Sequence, residues 1–212
     1  MSILACGWVR FGLARSWTTT GAGLISPMMV CATSALWAPP ALAQQLIPAG
    51  SEISFTSRQM GVPVDGQFRK WSAAIQFDVK KPEAGKVAFT IDMGSATLGA
   101  ADTDAEVAKA DWFNTAKFPQ AQFQSGAIKA TAKGRYDISG ALTIKGNTQP
   151  VTVAVTLAQT GSSSGLRTFA TGSFTLKRLA FKIGEGPWGD TSIVADEVQV
   201  KFKIQLSGLA PL

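Results

Sequence analysis

The chain has 212 residues, 46% hydrophobic and only 16% charged, with a formal charge of +6 and no histidine. Without an imidazole there is no histidine base, no histidine-containing zinc site and no histidine pH switch, and the apolar content excludes a disordered chain. The basic residues are scattered, with Arg69-Lys70, Lys80-Lys81 and Lys177-Arg178 the adjacent pairs, so no stripe tracks a phosphate backbone and nucleic acid is not expected as a partner.

Taken from the front, residues 16–51 carry no charge, Arg10 and Arg15 precede them, and all 14 acidic residues lie at Glu52 or beyond. A basic start, an apolar segment around residues 21–37 and Ala41-Leu42-Ala43 before Gln44 have the layout of a secretory signal peptide. Residues 1–43 are expected to be a cleaved leader and residues 44–212 one exported, periplasmic domain. The rival reading is an uncleaved anchor, against which Pro27 and Pro39-Pro40 interrupt the apolar run. Cys6 and Cys31 fall within the leader, so the processed chain is expected to have neither disulfide nor thiolate nucleophile.

Beyond residue 44 the pattern has period two, the mark of strands with one dry face. A first run covers residues 53–57. Ile75, Phe77 and Val79 alternate with Gln76 and Asp78, and Val87, Phe89, Ile91 and Met93 follow a turn near Glu83-Ala84-Gly85. Residues 101–110 (ADTDAEVAKA) break the rhythm with helix formers, and Asp102 or Thr103 is the expected cap. Trp112-Phe113 follows, and Pro119 ends the excursion. Strands resume over residues 121–128 and at Tyr136, Ile138, Gly140, Leu142 and Ile144, which lead into a turn at Lys145-Gly146-Asn147. Val151, Val153, Val155 and Leu157 form the next run. A flexible hairpin loop is expected over TGSSSG at 160–165, followed by a run over 168–176 and the most regular one, Val198, Val200, Phe202, Ile204 and Leu206. About eight antiparallel strands and one short helix make an all-β protein. Such a sheet must close on itself or pack on a second one, and the pattern alone admits a sandwich, a filled barrel or a barrel with a cavity.

Several segments, in this order and spacing, resemble the YceI family of exported, lipocalin-like proteins. They are Ser51-Glu52-Ile53-Ser54-Phe55, Gly66-Gln67-Phe68, Ile75-Gln76-Phe77-Asp78, Trp112-Phe113 with Phe118-Pro119 and Phe123, the run from Gly140 to Gly146 (GALTIKG), the run from Ile183 to Trp188 (IGEGPW), and residues 198–202. The resemblance implies an extended antiparallel β-barrel whose apolar interior holds a long polyisoprenoid, such as a quinone or a prenyl-phosphate chain. It implies carriage or sequestration of an isoprenoid lipid with no catalytic residues, metal or cofactor. It also admits a homodimer or a membrane b-type cytochrome as partner, the latter fitting an alternative reading as a structural, partner-binding β-domain. The chain departs from many members in having Arg58-Gln59-Met60-Gly61 where they carry histidines, and Arg178-Leu179-Ala180-Phe181 where they carry Arg-x-Asp-Phe.

Phe55, Phe68, Phe77, Phe89, Phe123, Leu142, Phe174, Phe181 and Phe202 are the expected inward residues, either packing the core or touching ligand. Trp112 and Phe113 are expected to plug one barrel end, and Trp188, among Gly184, Gly186 and Gly189, to form a lid or a folded-back loop. Arg58 and Arg178 are the basic candidates for a head group, because arginine offers several fixed donors; the competing role is a salt bridge at the rim. Among the acids, Asp78, Asp92 and Asp111 are the candidates for carboxylate chemistry, but nothing in the pattern brings two of them together.

Overall fold

The computed structural model describes residues 44–161 and 165–212; the expected leader and the centre of the TGSSSG loop lie outside the described residues. Ten strands form a single antiparallel sheet. They are β1 (Gln45–Gln59), β2 (Val62–Phe68), β3 (Trp71–Gln76), β4 (Lys86–Asp92), β5 (Ala96–Thr97), β6 (Gln120–Ala132), β7 (Arg135–Ile144), β8 (Asn147–Thr160), β9 (Arg167–Lys177) and β10 (Glu197–Ser207), with one helix, α1 (Ala101–Val107), between β5 and β6. The strand order is β3-β4-β6-β7-β8-β9-β10-β1-β2-β5. Side chains from β1, β3, β4 and β6 through β10 face one interior, so the sheet curls into an extended barrel wall.

The eight runs of alternating residues are β1, β3, β4 and β6 through β10. The other two strands lack that signature. In β2 (VPVDGQF), Pro63 removes a donor and Asp65 and Gly66 interrupt the alternation. Pro63 is tolerated because β5 pairs only with Gln67 and Phe68, leaving the Pro63 end of β2 an edge. Gly66 is required by close approach: it lies opposite Phe55 in the ladder, and a Cβ there would sit 2.3 Å from Phe55 Cζ. The two-residue β5 is too short to show a period.

No ladder joins β3 to β5 among the described residues, and the seam is stitched by other bonds. Arg69 N–H donates to Ser95 O (3.1 Å) and Asp92 N–H to Lys70 O (3.0 Å) where β2 turns into β3. Further along, the Gln44 carboxamide imitates a strand: its Oε1 accepts from Phe77 N–H (2.8 Å) and its Nε2 donates to Phe77 O (2.9 Å).

The helix is capped differently from expectation. Ala100 is the cap residue and supplies no side-chain bond. Asp104 instead reaches back to accept from Leu98 N–H at 2.6 Å, an arrangement related to a capping box. This bond, helped by the Thr97 hydroxyl, holds the Asp104 carboxyl below the usual aspartate value.

Candidate ligand cavity

The inward alternation of eight strands lines an elongated interior of two chambers. The first, of about 130 Å³, is walled by Ile, Val, Leu and Phe side chains, with Tyr136 its only residue bearing a side-chain oxygen among the described residues. Apolar cavities of about 150 Å³ stay dry and take apolar guests. The second, of about 430 Å³, is bounded by β1, β2, α1, the segment after it and the 178–194 region, and it adds Ser57, Gln59, Asp102, Thr103, Glu106 and Arg178 to an apolar lining. Ile53, Ile91, Leu142, Phe174 and Val200 line both chambers and form the waist between them.

Twelve of the fourteen expected residues stand in these walls. Phe77, Phe89, Phe123 and Phe202 line the apolar chamber; Phe55, Phe68, Trp112, Phe113, Arg178 and Trp188 line the rimmed one; Leu142 and Phe174 belong to the waist. Aromatic contacts organise them. Phe55 and Phe68 meet tilted with 5.2 Å between centroids, Trp112 and Trp188 likewise at 5.4 Å, and Phe77 meets Tyr136 edge-on at 5.0 Å. Trp112 and Trp188 therefore act as a pair in one wall.

One expectation, for Arg58, is corrected, and for Phe181 core packing is the alternative realised. Arg58 is exposed, because Phe55, Ser57 and Gln59 face inward and strand parity turns position 58 outward. Phe181 lines neither chamber; at 2% exposure it packs with Leu176, Ile183 and Val194 beneath the wall.

Arg178 also has a different task from the one expected. It is 1% exposed, and all five of its N–H groups meet backbone carbonyls. Nε donates to Ala195 O (3.0 Å), Nη1 to Ile183 O (2.8 Å) and Gly184 O (2.9 Å), and Nη2 to Trp188 O and Val194 O (both 2.7 Å). Burial lowers its pKa, and Asp196 works in the opposite direction. The guanidinium is a clasp for the 183–195 segment, with no donor left for a head group and, among the described residues, no salt bridge at the rim. A Cβ on Gly184 would lie 2.3 Å from Nη1, so glycine lets the clasp close. Buried Lys145 fastens the same segment from the β7–β8 turn, donating to Lys182 O (2.6 Å) and to the Glu185 carboxylate (3.0 Å).

The polar rim was missed at the sequence level. Ser57 and Gln59 continue the parity of Phe55, and Thr103, Glu106 and Val107 share one face of α1; those two periods were the available signal. Neither Asp78, Asp92 nor Asp111 lines a chamber; Asp92 caps Gly94 N–H and Asp78 accepts from Lys80 N–H. Among the described residues no group of three or more Cys, Asp or Glu is placed to hold a metal ion.

Fold and cavity together define an antiparallel β-barrel protein with an elongated apolar interior and one polar-rimmed end. The YceI-like domain family model matches residues 45–206, and the chain belongs to that family. It is 35% identical over 134 residues to a UPF0312 protein of Pseudomonas aeruginosa (strain LESB58), covering 62% of this chain and 70% of that one. The crystal structure of Burkholderia cenocepacia BcnA is similar with a TM-score of 0.72 at 43% identity, over 76% of this chain and 99% of that one. A polyisoprenoid binding domain from Saccharophagus degradans, implicated in plant cell wall breakdown, shares the fold with a TM-score of 0.63 at 17% identity, over 78% and 98% of the two chains.

Proposed function

We propose that this is an exported, non-catalytic binding protein that buries the chain of a long isoprenoid lipid, of quinone or polyprenyl type, across both chambers. The observation that supports the reading is the waist: five apolar side chains border both chambers, so the two lie next to each other within one largely apolar interior, which suits an extended apolar chain. Each CH₂ taken from water contributes roughly 0.8 kcal/mol, so affinity grows with chain length and depends little on the head. The description of the Saccharophagus domain as polyisoprenoid binding supports the ligand class, and the leader expected over residues 1–43 supports export.

The test is an organic extract of the purified protein analysed by mass spectrometry, with denaturation curves with and without an added polyprenol. A stoichiometric isoprenoid and a stabilised protein are expected. An extract free of isoprenoid, from a protein that polyprenol does not stabilise, overturns the reading.

A further inference from the structure

Among the described residues, the large hydrophobic side chains left exposed are Met60 (78%), Val62 (62%) and Ile193 (41%). All three belong to one tip of the molecule. Met60 and Val62 flank Gly61 in the turn between β1 and β2, and Met60 N–H donates to Ile193 O at 2.8 Å. Beside that bond, Gln59 and Val194 form an isolated bridge. Exposed apolar residues scattered singly are ordinary, but three gathered from two separate segments call for a reason.

The backbone makes the exposure costlier. Met60 has φ 48° and Gly61 φ 83°, so both centres of this two-residue loop have positive φ, the type I′ turn that Asn-Gly suits best. A bulky methionine is disfavoured in the left-handed region. Position 60 therefore serves neither the turn nor the core, and strain of this kind collects at functional positions.

The tip also continues the interior. Val62 lies opposite Gln59 in the ladder and Val64 opposite Ser57, and residues directly opposite share a face. Ser57, Gln59, Val64 and Val194 all line the rimmed chamber, so Val62 carries that lining one step past the chamber to the tip. A stable protein partner buries about 800 Å² on each side, more than three such side chains on a hairpin tip can supply. A bilayer demands no matching shape and takes apolar side chains at its acyl boundary. Arg58 and Asp190, exposed and of opposite sign, flank the tip, so apolar insertion and not charge of one sign supplies the attraction.

Resting on the isoprenoid reading above, we infer that the β1–β2 tip and the adjoining loop are a bilayer-docking surface. Met60, Val62 and Ile193 enter the acyl boundary and hold the rimmed end of the interior against the membrane, so that an isoprenoid passes between bilayer and barrel with little exposure to water.

Beyond the expected leader the methionines are Met60 and Met93, the latter 3% exposed, so ¹³C-methyl-methionine labelling gives a reporter at the tip and an internal control. With phosphatidylcholine vesicles carrying a spin-labelled phosphatidylcholine, the Met60 signal is expected to broaden and the Met93 signal to stay sharp, at low and high salt alike. Met60→Asn with Ile193→Ser is expected to weaken vesicle co-flotation at least about tenfold and to slow polyprenol transfer from vesicles by a similar factor. Affinity for farnesol added without vesicles should stay within about twofold of wild type. Met60→Asn alone should match or exceed wild-type stability in urea, because it supplies the preferred Asn-Gly pair. An unbroadened Met60 signal or undiminished flotation of the double variant overturns the proposal, and a destabilised Met60→Asn returns Met60 to the fold. Binding confined to phosphatidylglycerol vesicles and abolished by salt moves docking to a basic surface, such as Lys129 and Lys133 at the far end, and a Met60-dependent dimer in sedimentation makes a second copy the occupant; either result also overturns it. If farnesol binds and vesicles do not, this inference alone falls; if farnesol fails to bind and the extract holds no isoprenoid, the isoprenoid reading falls with it.

Discussion

Replacing Arg178 with methionine keeps a long, flexible side chain and deletes the guanidinium. Five bonds of 2.7–3.0 Å to carbonyls of residues 183–195 are lost together. Hydrogen bonds to a charged group contribute about 1.5–3 kcal/mol each when judged singly. Two effects reduce the sum. The native state already bears a desolvation cost, visible as the lowered pKa of Arg178, and Glu185, Asp190 and Ser192 are exposed neighbours that let part of the freed backbone turn to water. Taking about 1 kcal/mol per bond, the loss is about 5 kcal/mol, close to the whole stability of many domains. Arg178→Lys keeps the charge but has three donors that cannot span five carbonyls, and should cost about 2–3 kcal/mol. Urea denaturation of the lipid-free protein measures both. If Arg178→Met lies within 1 kcal/mol of wild type while lipid binding collapses, Arg178 is a head-group ligand and the clasp argument is wrong.

Val200→Trp places a large ring at the waist, where chamber space lies on both sides. The lipid-free protein should stay within about 1 kcal/mol of wild type, short of the 1–3 kcal/mol typical of an overpacked core, yet lose most of the ~2.7 kcal/mol that ligand at a hundredfold over Kd confers; paired denaturation curves decide, and a severely destabilised lipid-free mutant means the interior is full. Gln44→Ala removes both seam bonds to Phe77 and should cost about 1–2 kcal/mol, with faster hydrogen exchange at the Phe77 amide; unchanged exchange would show that the stitch is idle. Asp104 has a depressed pKa in the fold, so its support of α1 is present above the ordinary aspartate value and is lost as pH falls through the depressed one. The Leu98 amide resonance should titrate with a midpoint below that ordinary value and stop doing so in Asp104→Asn; a midpoint at or above it contradicts the bond.

The legible part of this molecule was whatever repeats every second residue. The run from Val198 to Leu206 reads directly as β10, and each of its alternate residues lines a chamber. Where turn-forming residues break the alternation, as in β2, pairing to neighbours and not local pattern makes the strand. Arg58 shows the opposite error: charge chemistry suggested a ligand, but the parity running from Phe55 through Ser57 already assigned the inward place to Gln59. Arg178 lay beyond both kinds of reasoning. It follows the end of β9, in a short 3₁₀ turn where parity no longer applies, and its five partners are backbone atoms that no side-chain motif encodes. The Trp112 pairing with Trp188 was equally hidden, since 76 positions of chain separate two residues that meet only through the folded loop.

The oxygen-poor lining of the smaller chamber has a mechanical consequence. Water entering it would find almost no hydrogen-bonding partners, so solvent is a poor substitute for a departing lipid tail, and the void must be borne by the walls or removed by their inward movement. Void volume eliminated on unfolding is what makes a folded state sensitive to pressure. The empty protein should therefore unfold at lower hydrostatic pressure than the lipid-filled one by more than binding energy alone accounts for. A guest here acts as an internal strut, and the barrel is at its least compressible when loaded.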